Sequence, residues 1–234
     1  MTTLTTPAVD TATPPVRRTV PFGAGLAAAT LVLGAVGNTL QAVLTQVLGG
    51  RPETIAEQAA LAAERGGLVT AMSLAGTIAI PFMALGFVAA AHLLARRARR
   101  TGRIAGSLLV LGMWGFLGIQ ISQLLQVIAL QSGADGLAAA TWMQGLESVP
   151  LLGIVFAMPF MAGTVLGMVV LTVGLLVKGA GVPRWIPAAW LLFIVLDFTI
   201  GAVGPIDPHW LYLAGAVGLA VHVVRDGARA WKHA

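Results

Sequence analysis

The sequence predicts an all-α fold: a polytopic transmembrane bundle of six helices with both termini in the cytoplasm. Three observations carry that expectation. Of 234 residues, 57% are hydrophobic and a further 29 are glycine, whereas only 10% are charged. A soluble domain carries about 25% charged residues and could not cover its surface with so few. Six stretches approach the ~20 apolar residues that a spanning helix needs: 22–48, 68–95, 104–130, 150–177, 185–204 and 209–225. Finally, twelve of the 14 Lys and Arg fall on one side of that layout.

Taken in order, the first 20 residues are rich in Thr and Pro and read as a disordered cytoplasmic tail. Arg17-Arg18 ahead of an apolar run has the form of a twin-arginine signal, but the run far exceeds the 7–15 residues of a cleavable one. It is read as the first span. Residues 53–66 read as a short surface helix, opened by a Thr54/Glu57 capping box and closed by Gly66-Gly67. Arg96, Arg97, Arg99, Arg100 and Arg103 separate spans two and three. Lys178 and Arg184 lie between four and five, and Arg225, Arg229 and Lys232 follow the sixth. The fifth and sixth spans form a hairpin around Pro205, Asp207 and Pro208. Residues 21–228 thus make one transmembrane domain, and 229–234 a short cytoplasmic end.

Arg51 and Arg65 are the two cations expected outside, together with Glu53, Glu57, Glu64, Asp135, Glu147 and Asp207. The positive-inside bias places the side with twelve cations in the cytoplasm. An even number of spans requires the same of both termini. The net charge of +5 is therefore an orientation signature. No nucleic-acid fold or aromatic interleaving accompanies it. Trp185, Trp210 and Trp231 fall at span boundaries, where indoles anchor among headgroups. There is no cysteine, hence no disulfide and no thiolate site.

Polar residues inside the spans divide unevenly. Asn38, Gln41 and Thr45 share a face of the first span, and Thr70, Ser73 and Thr77 share one of the second. Gln120, Gln123 and Gln126 form an amide stripe in the third. Asp197 and Thr199 lie just outward of the fifth span's centre, and Glu147 and His209 cap the same side. The inner half holds only Thr30, Ser107, Thr164, Thr172, His92 and His222 among small and aliphatic residues. Gly163 and Gly167 there form a G-x-x-x-G pair suited to close helix packing. The pattern predicts a cup with a tight inner floor and a polar cavity opening outward. Interhelical glue and a water-filled conduit are the competing readings of the same stripes.

Asp197 is the sharpest single residue, because an ionisable group within a span is a functional-site hypothesis by default. Proton relay, cation ligand and general acid are its candidate roles; an interfacial carboxyl bonded to a neighbouring glutamine is the bland one. His92 and His222 lie at one depth, but depth alone does not make a haem or metal site. No metal or cofactor is expected, and no H-E-x-x-H, G-x-S-x-G or Walker sequence occurs.

Three local patterns carry a family resemblance. They are Ala95-Arg96-Arg97 through Arg103 and Gly106, then Ser132-Gly133-Ala134-Asp135, and Lys178-Gly179-Ala180-Gly181-Val182-Pro183-Arg184-Trp185. In these, and in layout over most of 22–225, the chain resembles a large group of uncharacterised six-span bacterial integral membrane proteins, a domain-of-unknown-function family. The resemblance implies six helices and a cytoplasmic-membrane location, and supplies no activity. The Thr/Pro tail and the Ala/Gly-rich helices depart from that pattern.

Three functions are expected on these grounds. The first is binding or transport of a small polar or amphiphilic molecule in the outward cavity, lined by Asp197, Gln120, Gln123, Gln126, Asn38, Gln41, Thr45, Ser73, Thr77, Glu147 and His209. The second is a membrane-embedded enzyme acting on a lipid or isoprenoid, with Asp197 or Glu147 as acid. Against it stand the 6% aromatic content and single Tyr, too few for carbocation chemistry. The third is an accessory or regulatory protein that binds a partner, or a second copy, through Gly163/Gly167-type faces. Membrane lipids are the one partner common to all three.

Overall fold

The computed structural model describes residues 22–50, 52–133, 135–147, 149–179, 181–202 and 207–225, with side chains except at Phe22 and Glu147. The expected tail (1–20), the C-terminal end (229–234), and Arg51, Pro205 and Asp226 lie outside the described residues. Seven helices occur among those described: α1 (Phe22–Val47), α2 (Ile55–Ala95), α3 (Arg99–Gln131), α4 (Gly136–Glu147), α5 (Pro150–Lys178), α6 (Trp185–Thr199) and α7 (His209–Arg225). The fold is all-α. Four helices, α1, α2, α3 and α5, are long and apolar enough to cross a membrane, and α6 is a shorter apolar helix of 15 residues. It stops at Thr199, short of the expected 204.

Six of these helices close a ring. α1 packs on α2, α2 on α3, α3 on α5, α5 on α6, α6 on α7, and α7 returns to α1, while α4 rests on α3. The ring is filled at the end where α2 meets α3. Leu94, Leu109, Leu171, Leu175 and Leu219 are there fully or almost fully buried. Two hydroxyls in this half bond their own helices: Thr30 Oγ1 donates to Ala27 O at 3.0 Å and Thr172 Oγ1 to Met168 O at 2.8 Å, whereas the buried Thr164 Oγ1 has no partner among the described residues. The outward faces are apolar, with Leu33, Ile78, Ile104, Leu166 and Val195 each half exposed or more. A continuous apolar belt of this kind suits lipid rather than water.

Glycine lets the helices approach. A Cβ at Gly163 would stand 2.6 Å from Leu108 O and 2.7 Å from Gly112 N, both backbone atoms of α3. Gly163 and Gly167 are buried in the α3–α5 contact, so the face expected to receive a partner helix is occupied within the chain. On the far side Trp190 of α6 is fully buried and donates from Nε1 to Tyr212 O of α7 at 3.0 Å. Gly215 makes room for that indole, which meets Phe87 of α2 edge-on at 6.2 Å.

Two helices depart from regularity. The Thr54/Glu57 capping box forms as the sequence predicts, with Glu57 N donating to Thr54 Oγ1 at 3.2 Å and Thr54 N to Glu57 Oε2 at 3.2 Å. Gly66-Gly67, expected to end this helix, instead come just after a break at Arg65 (φ −131, ψ 35), beyond which α2 continues to Ala95. Gln131 of α3 splints the break, donating from Nε2 to Gly66 O at 3.0 Å and accepting from Thr70 Oγ1 at 3.2 Å. Thr54→Ala is expected to cost about 1 kcal/mol. The check is faster amide hydrogen exchange over 55–64 with an unchanged global melting temperature.

α5 opens with two π-helical stretches, Gly153–Ala157 and Pro159–Gly163. Pro159 has no N–H to give an α-type bond. The preceding Met158 N–H already reaches five residues back to Gly153 O. Each such turn widens the helix and rotates the residues beyond it, a device common near functional sites. α5 ends regularly, on Gly179 in the left-handed region (φ 56, ψ 49).

Candidate functional site: a polar cavity at the carboxylate end of the bundle

α1 presents Asn38, Gln41 and Thr45 along one stripe, because residues three, four and seven apart share a helix face. α3 runs antiparallel to α2 and brings Gln120 and Gln123 to the same level. α5 contributes Phe160, α6 Asp197 and Phe198, the turn before α7 Asp207, and the first residue of α7 His209. Together these line one cavity of about 390 Å³ inside the ring, within the 300–1,000 Å³ usual for small-molecule sites. Seven of the residues singled out in the sequence meet here: Asn38, Gln41, Thr45, Gln120, Gln123, Asp197 and His209.

Ser73 and Gln126 line a second, adjoining space of about 210 Å³, roofed by Gln58 and Leu61 of the outer part of α2. Gln41, Thr45 and Gln123 border both, so they form the wall between. Gln41 is held against Gly76, where a Cβ would collide with its amide. Thr45 Oγ1 donates to Gln41 O at 2.9 Å and lies 3.3 Å from Met72 Sδ. Thr77 lines neither space; its hydroxyl donates to Ser73 O at 2.8 Å. Glu147 ends α4, and its side chain lies outside the described residues.

The mouth is built around His209. Its Nδ1 stands 2.7 Å from Asp207 Oδ1 and 3.9 Å from Asp197 Oδ1. The Asp207 side chain is 5% exposed, although its position in the turn gives no hint of burial. Its Oδ1 also accepts from His209 N at 2.8 Å, and its Oδ2 accepts from Gln46 Nε2 at 2.6 Å. Asp-Pro ahead of an apolar run is a helix-start signal, with the carboxylate satisfying free N–H groups and Pro preset for the first turn. Thr39 Oγ1 ties the same corner to α1 by donating to His209 O at 3.3 Å. With both carboxylates ionised, the cluster is net negative whichever state the imidazole adopts.

Below the mouth the lining turns to amides and then to aromatic rings. Phe116 and Phe160 stack at 4.7 Å and 18°, Phe160 being aimed by the second π stretch of α5. Gln120, one turn along α3 from Phe116 toward the mouth, is 1% exposed, and its Oε1 has no hydrogen-bond partner among the described residues. An acceptor so buried costs about 1–3 kcal/mol unless a donor reaches it. Among the described residues no group of His, Asp and Glu is placed to hold a metal ion. His92 lies at the opposite end of the bundle, between α2 and α3, and His222 is near the end of α7.

Comparison with known protein families, with curated proteins and with solved structures returned no match.

Proposed function

We propose that the chain is a six-span protein of the bacterial cytoplasmic membrane, with both termini inside, that binds or carries a small amphiphilic cation through its outward cavity. In this reading α6 and α7 are the fifth and sixth spans. Charge supports the orientation. Arg96 to Arg103, Lys178, Arg184 and Arg225 sit at one end of the ring, and every described carboxylate sits at the other. The three motif resemblances point to the same layout.

The observation that carries the ligand class is the unanswered Gln120 Oε1 in the cavity wall, between two carboxylates at the mouth and a stacked phenylalanine pair one helix turn deeper. Every one of these favours a donor-rich, positively charged head with an apolar body. Carboxylates and Gln120 accept hydrogen bonds, and aromatic faces attract cations by about 0.5–2 kcal/mol. An alkyl amine meets that description; a sugar or a carboxylate does not.

The test is calorimetric titration of the purified chain with an alkyl amine, the alcohol of equal chain length and the matching carboxylate. The amine is expected to bind at least tenfold tighter than the alcohol, a difference of about 1.4 kcal/mol. Asp197→Asn should erase that preference, and Gln120→Leu should weaken the amine without creating affinity for the acid. Equal binding of amine and alcohol defeats the cation reading. An enzyme acting on a lipid or isoprenoid is the second reading, favoured by the Asp207–His209 contact, which orients an imidazole for proton transfer. Product formation from a membrane lipid extract, lost in His209→Ala, decides for it.

A further inference from the structure

At the opposite end of the bundle α2 and α3 are joined by only three residues, 96–98. The two helices separate from a very tight crossing. A Cβ on Gly102 would fall on the Ala95 backbone, and one on Gly106 would stand 3.2 Å from Ala91 Cβ. Small residues thus lower the floor between two flanks of larger side chains. The result is an open trough of about 1,320 Å³ on the outer surface of the ring.

Two chemistries line it, one above the other. Arg96, Arg97, Arg99 and Arg103 surround its end. Among the described residues none of them pairs with a carboxylate. Away from that end the walls are apolar, with Val88 on α2 and Val110, Leu111 and Trp114 on α3, each about half exposed. From Arg103 to Trp114 is a rise of about 16 Å, close to half of a ~30 Å hydrocarbon core. A soluble anion would use the arginines and leave the apolar walls idle. A neutral acyl chain would do the reverse. Basic residues placed only for topology need no trough running from them into an apolar strip.

We propose that this trough binds one anionic phospholipid from the leaflet at the arginine end, its phosphate held by the four arginines and one acyl chain lying along Leu111 toward Trp114. Guanidinium forks match phosphate oxygens in pairs, and basic pockets between spanning helices are the recurrent form of such sites. The assignment is independent of the cavity at the other end.

The test uses the full chain in phosphatidylcholine vesicles carrying a minority of phosphatidylglycerol, with bromine on the acyl chains of one lipid or the other. The Trp114 signal is the difference between the native chain and Trp114→Phe. Brominated phosphatidylglycerol is expected to quench it several-fold more than the same amount of brominated phosphatidylcholine. Arg99→Gln/Arg103→Gln should bring the two to parity. Arg100→Gln/Arg184→Gln removes equal charge outside the trough and should leave the preference intact. Ser107→Leu fills the exposed trough without altering charge, and should also abolish the preference while the melting temperature holds. Equal quenching by both lipids in the native chain overturns the assignment. So does a preference that survives Arg99→Gln/Arg103→Gln, or one that inorganic phosphate removes at constant ionic strength.

Discussion

Gly163→Leu is expected to prevent the bundle from closing. A side chain at 163 would drive into Leu108 O and Gly112 N, and backbone atoms of a packed helix cannot rotate aside. Overpacking of a well-filled contact commonly costs about 1–3 kcal/mol, and a rigid backbone obstacle puts this case at the upper end. The variant should aggregate on extraction or melt well below the native chain. A ranking sharpens the test. At Gly167 the nearest atom is Leu109 Cγ at 2.7 Å and the nearest backbone atom, Leu109 N, stands farther off at 3.0 Å. Gly167→Ala should therefore be milder than Gly163→Ala. A Gly163→Leu protein with native melting temperature that loses a co-purifying partner would return these glycines to an external face.

Asp207→Ala is expected to destabilise the chain by about 3 kcal/mol, the combined loss of a helix cap and of partners for buried polar groups. Gln46 Nε2 and His209 Nδ1 both depend on this carboxylate, at 2.6 and 2.7 Å. Asp207→Asn keeps a capping oxygen and should lose less. The measurement is the melting temperature of each variant in one detergent, set beside Asp197→Asn. Asp197 is more exposed, at 31%, and its replacement should cost binding far more than stability. If Asp207→Ala melts like the native chain, Asp207 does not hold α7 to α1.

Most helix boundaries were legible because apolar run length and flanking arginines are local signals, the early end of α6 at Thr199 and the long α2 from Ile55 excepted. The stripe Asn38, Gln41, Thr45 and the glutamines of α3 were legible for a similar reason, since their spacing alone puts them on one face. Gly66-Gly67 misled because a helix interior tolerates glycine at about 1 kcal/mol each, and Gln131, sixty-five residues away from Gly66, splints the weak point. Asp207 and Gln46 were invisible as a pair, being 161 residues apart and joined only when the ring closes. Phe160 was hidden for another reason. Its direction depends on π turns, and Pro159 announces a disturbance without saying which way the next residues turn. The cavity was therefore readable as a polar level but not as an aromatic-walled, acid-mouthed pocket.

The brevity of α6 has an effect on where the cavity meets its surroundings. Fifteen helical residues reach about 22 Å, some 8 Å less than a typical hydrocarbon core. If α6 is the fifth span, as proposed, lipid beside it has to thin, at a fraction of a kcal/mol per ångström. Its polar headgroups are drawn down toward Asp197 at the helix end. The amphiphile of the proposed function would then offer its head sideways to the carboxylates while its tail stays among lipid chains. On the proposed function, its effective concentration would be set by partitioning into the leaflet, and the acyl length of the host membrane would become a control on occupancy.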